Sequence, residues 1–400
     1  MFIAVDKLRY IGAISGSPIA IQNYQTYEIP DQPQKEWSSL IGKRYFTNKP
    51  KLALICNWAD TCGIASYSYN IYKVLNDFFE IRVFGEDHPR KILNIPHNNV
   101  FYCWKRGEKL DGLVSALVDW QPDTALIQHD YGLFPDTIHF LRLLEGLGQI
   151  PYTVTVHSLQ PNRLACFAGI KQIVVHSKES QELLYASDWH GKCVVIPHGC
   201  SVQPPKGTGE RILPPGKNII QFGFCFSYKG IENGLRAVSL LKDKYPDIFY
   251  TVLMSEREDV MSMHKEYYAE LTDLRNQLDI KKNVLFVRGY QSEAILVTYI
   301  EDSLLAIFPY NKNPHTYAAS GAIRFVMTCD KPVIASDAHL FDDLEGIIPR
   351  PAGAAQLAEE IDKVLSNSTE HDQLLNSCRQ FILQNSWQNI AEEYRKILCS

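Results

Sequence analysis

Short apolar runs that alternate with helical patterns constrain the fold of this chain more than any other feature. From Lys51 onward, runs such as KLALIC, TALIQH and CVVIPHG each lead into a polar loop, and helical patterns such as PDTIHFLRLLEGLG lie between several of them. Continuous apolar strands that alternate with helices predict a parallel sheet covered on both faces. Ligands of such sheets bind at the carboxyl ends of the strands.

One segment interrupts this alternation. Residues 201–217, SVQPPKGTGERILPPGK, are rich in proline and glycine, which is typical of a linker. A second series then runs from NIIQFG to KPVIAS. The sequence therefore predicts two α/β domains, residues 49–205 and 206–385, facing each other across a cleft. Residues 1–48 carry breakers such as SGSP and IPDQPQ and are predicted to form an N-terminal extension.

Composition sets outer limits on function. The 400 residues suffice for two cores, and the net charge of −5 gives no global reason to expect nucleic acid. The ten cysteines are scattered without a CxxC pair, which indicates reduced, buried thiols. We find no secretory signal and no apolar run long enough to cross a bilayer. The expectation is a cytoplasmic protein, with peripheral membrane contact left open.

Seven motifs resemble those of one enzyme family. In order they are CGIASYS, TVHS, VIPHG, FGFCFSYKGI, LLAIFPY, KPVIASDAHLFDDL and SWQNIAEEY. Together they resemble the retaining glycosyltransferases of the GT-B fold, family 4, over roughly residues 50–400. The resemblance implies two Rossmann-like domains, with the acceptor held mainly by the first and a nucleoside-diphosphate sugar mainly by the second. It also implies that the final helix, residues 386–400, packs back on the first domain. Neither a metal nor a cofactor is expected.

The donor phosphates are expected at Lys229. This lysine lies in FSYKGIENGL between a strand and a helix, where its charge and the helix N-terminus both favour a diphosphate. The resemblance makes it the donor phosphate lysine and places Gly223 in the same loop. The alternative is a solvated surface lysine. Phe224 stands where the family usually carries an arginine, so one cationic contact is missing.

Arg324 is predicted to replace that contact. It lies one turn into a helix opened by Ser320 and Gly321, and its side chain would point back toward the N-terminus. Free backbone N–H groups and a guanidinium fork would together bind phosphate oxygens. The alternative is an ordinary capped helix with an exposed arginine.

The family's glutamate pair is absent. Tyr317 and Phe325 occupy the positions where the family places one glutamate on the donor sugar and another on the ribose. A less common family variant with a SASGAVR-type run resembles YAASGAIR. Tyr317 is expected to stack on a sugar or to form a hydrogen bond with it.

Two candidate catalytic residues follow strands of the first domain. The resemblance makes His157, after YTVTV, the histidine near the reactive centre of the donor sugar, and a loop cap is the alternative. Asp130 is a candidate to orient or deprotonate an acceptor hydroxyl, or else to cap the next helix.

Further contacts are expected around these residues. His129 and Gly63 are assigned to the acceptor and phosphate loops, because a glycine at a helix start allows close approach of a ligand. Tyr290 is expected to contact the base, and Arg288 to be a second phosphate contact or a surface residue. His198 takes the family's usual asparagine position at the hinge and is assigned a structural role.

The leading prediction is a retaining glycosyltransferase that moves a sugar from a nucleoside-diphosphate sugar to an acceptor hydroxyl of a glycan, a lipid-linked molecule or another acceptor. Two alternatives stay open. One is a catalytically degenerate binding or regulatory subunit, since the glutamate pair is missing. The other is a transferase that glycosylates a modified nucleic-acid base, which the acidic net charge disfavours without excluding.

Overall fold

The computed structural model describes most of the chain. The described residues are 49–60, 62–87, 99–256, 260–313 and 315–399. The predicted N-terminal extension, residues 1–48, lies outside the described residues.

The first half of the described chain contains one large sheet and one short strand outside it. Its strands are β1 (Lys51–Cys56), β2 (Glu80–Glu86), β3 (Val100–Trp104), β4 (Thr124–His129), β5 (Tyr152–Val156), β6 (Ser158–Leu159), β7 (Gln172–Val175) and β8 (Lys192–Val195). Its helices are α1 (Gly63–Leu75), α2 (Asp111–Trp120), α3 (Thr137–Gly146) and α4 (Lys178–Tyr185). Seven strands pair in parallel in the order β3-β2-β1-β4-β5-β7-β8. All six residues of β4 are buried, as expected for a strand covered on both faces.

The second half of the described chain has the same kind of architecture. Its strands are β9 (Lys217–Phe224), β10 (Ile248–Ser255), β11 (Val284–Arg288), β12 (Leu305–Phe308), β13 (Tyr317–Ala318) and β14 (Val333–Ala335). Its helices are α5 (Ile231–Leu241), α6 (Met261–Gln277), α7 (Glu293–Glu301), α8 (Gly321–Thr328), α9 (Gly353–Ser366), α10 (Ser368–Gln384) and α11 (Trp387–Leu398). Five strands pair in parallel in the order β11-β10-β9-β12-β14. The prediction of two Rossmann-like parallel sheets is confirmed.

Polar side chains begin several helices where the sequence indicated a start. The Asp136 carboxylate accepts the N–H groups of Ile138 and His139 at the start of α3. Ser177 and Ser386 cap α4 and α11 in the same way. Each cap satisfies backbone donors that the first helical turn leaves without a partner.

A short ribbon joins the two halves of the fold. Strand β6 follows β5 of the first sheet, and β13 lies in the loop that leads into α8. They pair antiparallel, with Tyr317 opposite Leu159 and Ala318 opposite Ser158. The backbone that approaches the start of α8 is therefore hydrogen-bonded directly to the loop at the end of β5.

Helix α11 packs against α1 and contributes Trp387, Ile390 and Tyr394 to the core beneath the first sheet. A backbone bridge between Cys200 and Ser386 fixes the entry to α11 beside the segment that follows β8. The exact division at residues 205 and 206 remains a prediction.

Tyr394→Phe is expected to destabilise the protein by about 1–3 kcal/mol, because it leaves two buried hydroxyls short of a partner. The Tyr394 hydroxyl lies 2.9 Å from Tyr67 Oη and 2.8 Å from Thr155 Oγ1, and all three groups are buried. Chemical unfolding would measure the loss. Tyr290→Phe is the matched control, since its ring is 58% exposed. Equal stabilities of the two variants would contradict the prediction.

All ten cysteines are free thiols, and seven of them are buried. Within the described part of the chain, no helix has both the length and the apolar character needed to cross a membrane.

Candidate active site in the interdomain cleft

Two adjoining cavities lie at the carboxyl ends of both sheets. The larger has a volume of about 900 Å³ and the smaller about 640 Å³. Their shared lining consists of Asp60, Cys62, Gly63, His198, Phe224, Ser255, Tyr290, Ala319 and Gly321. Both halves of the fold contribute to this lining, so the cavities form one cleft between the domains.

Lys229 presents a cationic side chain to the larger cavity. Its Nζ donates a hydrogen bond to Tyr310 Oη at 2.7 Å and lies 4.1 Å from the centre of that ring. Burial lowers the pKa of this ammonium. Among the described residues, no carboxylate forms an ion pair with it. A desolvated ammonium that lacks an acidic partner favours an anion in the cavity beside it.

Two glycines place the lysine. Gly230 immediately precedes α5 with φ +60°, and a Cβ at this position would overlap the carbonyl oxygen of Pro309. Gly223 has φ +147°, and a Cβ there would lie 3.4 Å from Lys229 Cε. Only glycine adopts these backbone angles without strain, and in this way β9 and α5 converge on the lysine.

Gly230→Ala is expected to destabilise the protein by more than about 3 kcal/mol, since steric overlap with Pro309 adds to the strain of a positive φ. Gly107→Ala is the matched control. Gly107 also has a positive φ, +77°, but a Cβ there would meet nothing within 4 Å. We expect the control to cost only about 1–2 kcal/mol. Urea unfolding of both variants would test the difference.

The start of α8 offers free backbone donors to the same cavity. Ser320 precedes the helix, but its side chain makes no capping hydrogen bond. The first N–H groups of the helix have no partner within it. Ser320 and Gly321 both line the larger cavity, so the predicted phosphate-binding helix end does face the cleft.

Arg324 differs from the expectation. Its Nη2 forms an ion pair with Asp343, its Nη1 donates to Ser320 O at 2.8 Å, and its Nε donates to His198 O at 3.2 Å. All three nitrogens therefore have protein partners. Arg324 does line the larger cavity, but its guanidinium is held by these partners and ties the start of α8 to the segment that follows β8.

Tyr317 also differs from the expectation. Its ring stacks on His339, with 4.2 Å between ring centres and 21° between planes, and it is absent from the lining of both cavities. Pairing of β13 with β6 turns the side chain away from the cleft. Phe325 lines the larger cavity, at the position where the family resemblance led us to expect a ribose-binding acid.

His157 lines the smaller cavity, but both of its ring nitrogens are already engaged. Nε2 lies 2.7 Å from Gln128 Oε1, and Nδ1 lies 3.3 Å from His176 Nε2. The imidazole therefore has no free nitrogen for a sugar hydroxyl in this arrangement, contrary to the expected side-chain contact.

Asp130 lines the smaller cavity and organises its rim. Its carboxylate accepts the Gly132 N–H at 2.7 Å and the Ser158 hydroxyl at 2.5 Å. These bonds hold it in place at the end of β4. Its role toward an acceptor stays a prediction.

Two predicted residues lie away from the cavities. His129 is 1% exposed within an aromatic cluster, where its ring stacks on Phe134, and burial lowers its pKa to about 3. As the last residue of β4, it points into the core instead of the acceptor loop. Arg288 donates to Glu256 through Nε and Nη2, at 2.8 and 2.5 Å, and lies over the Tyr268 ring. Arg288 is absent from the lining of both cavities. Of its two predicted roles, phosphate contact or surface residue, the structure agrees with the second.

Gly63 and Tyr290 lie where the sequence placed them. Gly63 begins α1 and lines both cavities, and no atom lies within 4 Å of a Cβ built there. Tyr290 follows β11 and lines both cavities with a largely exposed ring.

Arg106 and His198 are among the cleft residues that the sequence did not assign to the site. Arg106 lines the smaller cavity and is held by the buried Glu86 carboxylate through Nε at 2.9 Å and Nη2 at 2.7 Å. His198, assigned a structural role, lines both cavities. Each follows the end of a strand, and that position was the signal that could have found them.

Solved structures are similar to this chain although their sequences differ. A glycosyltransferase from Rickettsia africae has a TM-score of 0.70 and 15% identity, over 88% of this chain and 98% of that one. Anabaena HepE, solved in complex with UDP, has a TM-score of 0.68 and 14% identity, over 87% and 99%. Sucrose-phosphate synthase from Thermosynechococcus elongatus has a TM-score of 0.68 and 17% identity, over 88% and 99%.

The chain has the GT-B fold. No family model matches the sequence, and no curated protein is similar to it. Likeness at these identities concerns the fold alone and does not distinguish family 4 from other GT-B proteins. The part of the chain that the structure describes contains no group of three His, Cys, Asp or Glu side chains placed to hold a metal ion.

Proposed function

We propose that this protein is a retaining glycosyltransferase of the family 4 type, which transfers a sugar from a nucleoside-diphosphate donor to an acceptor hydroxyl without a metal. One observation carries the proposal. The ammonium of Lys229, without a carboxylate partner among the described residues, shares a cavity with the uncapped start of α8. Anabaena HepE, which is similar in fold, was solved with UDP.

In this proposal the donor diphosphate lies between Lys229 and the first N–H groups of α8. Charge that develops on the leaving diphosphate is then stabilised by fixed donors in a site screened from water. The open backbone at Gly63 and the carboxylate of Asp130 face the smaller cavity, which is the place for the acceptor. A glycan or a lipid-linked sugar would each supply the hydroxyl.

A panel of nucleoside diphosphates and their sugars tests the proposal by thermal stabilisation. A selective shift would name the base and the sugar, and subsequent release of the nucleoside diphosphate with an added acceptor would establish transfer. Retention follows from the anomeric configuration of the product. Lack of any shift would contradict the donor site.

A catalytically inactive binding subunit is the second candidate. Phe325 in the larger cavity and the stacking of Tyr317 on His339 favour it, because neither side chain can replace a glutamate on a sugar. Donor binding without transfer or hydrolysis, over a broad acceptor panel, would support this candidate. A gel-shift assay with duplex DNA and RNA at two salt concentrations tests the third candidate, a nucleic-acid acceptor.

A further inference from the structure

We infer that His198 is a donor-binding residue, whose Nε2 takes up a proton and donates a hydrogen bond to the diphosphate. The inference rests on the proposed function, because it places a diphosphate at the start of α8. It gives a chemical role to a residue that the sequence assigned only to the hinge.

The position of His198 brings its ring to the phosphate end of the cleft. The residue follows β8 and lines both cavities. A Cβ built on Gly321 would lie 3.4 Å from His198 Nε2. Gly321 is the first residue of α8, so the Nε2 edge of the ring lies beside the free N–H groups of that helix.

The hydrogen bonds of His198 fix which nitrogen is available. Nδ1 lies 2.9 Å from Gly199 O, and since a carbonyl oxygen only accepts, Nδ1 carries a hydrogen. Nε2 has no hydrogen-bond partner among the described residues. In the neutral ring this atom is a lone-pair acceptor, which repels a deprotonated phosphate oxygen. Protonation converts it into a charged donor and reverses the interaction.

The surroundings favour the neutral imidazole of His198. The groups that face the imidazole or its histidine neighbours are Tyr67 of α1, His157 after β5, His176 after β7, Arg324 of α8 and Trp387 of α11. Burial, together with Arg324 and His176, holds the pKa of His198 well below its usual range. No carboxylate of the described residues contributes to this shift: Asp60 lines both cavities with His198 without contributing, and Asp343 is paired with Arg324. A bound diphosphate would supply the missing negative charge and raise the pKa, so binding and proton uptake are coupled.

The cations that the sequence predicted on the diphosphate leave room for this role. Phe224 stands in place of the family's arginine, and the nitrogens of Arg324 are all engaged. Lys229 is then one cation on the diphosphate, and protonated His198 is another. Asparagine, the usual residue at position 198 in the family that this chain resembles, cannot take up a proton.

Calorimetric titration with UDP, in buffers of different ionisation enthalpy, tests the inference between about pH 6.5 and pH 7.5. We expect net uptake of close to one proton by the wild type, beyond what UDP itself contributes. We expect His198→Asn to abolish this uptake. The wild-type Kd should fall by up to about tenfold for each pH unit of acidification, and the variant Kd by less than about twofold.

Lys229→Met is the companion variant, because it weakens UDP binding while leaving the uptake at His198 in place. Equal proton uptake by the wild type and His198→Asn would overturn the inference and leave the proposed function standing. Zero uptake by wild type that binds UDP would overturn it as well, without any variant. Absence of binding for UDP, ADP, GDP and TDP would overturn the inference and the proposed function together.

Discussion

Lys229→Met is expected to lower kcat/KM for the nucleotide-sugar donor by roughly 10²–10³-fold, the size of effect seen when one fixed donor to a developing oxyanion is removed. Methionine keeps most of the length of the side chain but removes the charge and the hydrogen bonds. The Tyr310 hydroxyl, 2.7 Å from Nζ, cannot replace a positive charge opposite a diphosphate.

Stability should respond in the opposite sense to activity. Burial disfavours the charged form of Lys229 and lowers its pKa, so loss of the ammonium removes a desolvation cost. We expect the unfolding free energy of Lys229→Met to equal or exceed that of the wild type, to within about 1 kcal/mol. Steady-state kinetics and urea unfolding of the same preparation would separate the two effects.

Lys312→Met is the matched control for this experiment. Lys312 is half-exposed, pairs with Asp337 at 2.8 Å and lines neither cavity. Its loss should change kcat/KM by less than about twofold, because exposed ion pairs contribute little. Similar kinetics for the two variants would contradict the placement of the diphosphate.

Arg324→Ala is expected to destabilise the protein by about 3–5 kcal/mol, since it leaves the buried Asp343 carboxylate without its partner. The two side chains are 2% and 8% exposed. The lost hydrogen bonds to Ser320 O and His198 O add to the effect, because they join α8 to the segment after β8. Equilibrium unfolding in urea would measure the loss.

The pH dependence of this variant identifies the cause. Burial raises the pKa of Asp343, and Arg324 opposes that rise, so removal of the arginine raises the pKa further. A carboxyl group with a raised folded-state pKa stabilises the fold below that pKa, and the contribution is lost as the pH increases through it. The destabilisation by Arg324→Ala should therefore be smallest in acid and grow toward neutral pH.

A double variant, Arg324→Met with Asp343→Leu, is the control. It replaces the buried pair by apolar side chains of similar size and should recover most of the lost stability. A pH-independent loss, or a double variant as unstable as Arg324→Ala, would contradict the account. Reduced donor binding by Arg324→Ala could come from a lost phosphate contact or from lower stability of the fold. Stability therefore has to be measured together with binding.

Much of the architecture could be predicted from the sequence. Continuous apolar runs such as that of β4 indicated strands covered on both faces, and their alternation with helices predicted two parallel sheets. Residues that follow strand ends, such as Gly63 and Lys229, were assigned correctly to the cleft, since parallel strands bring their carboxyl ends to one edge. Backbone geometry alone decides this placement.

Side-chain direction and pairing could not be predicted in the same way. His129 and Asp130 are neighbours at one strand end, yet the first points into the core and the second faces the cavity. Successive residues of a strand point to opposite faces, and which face meets solvent depends on what packs there. Tyr317 was expected in the site, but the pairing of β13 with β6 directs its ring onto His339.

The fold class, the position of the cleft and the placement of Lys229, Ser320 and Gly321 beside it followed from the sequence, because local spacing and the alternation of strands and helices are sufficient for these. The pairing of Arg324 with Asp343 and the free Nε2 of His198 beside α8 depend on tertiary contacts. The physical reason is that a buried charge is destabilising unless an opposite charge or hydrogen bonds compensate for its lost hydration. Asp343 lies 19 residues away from Arg324 along the chain, and nothing in the local pattern marks it.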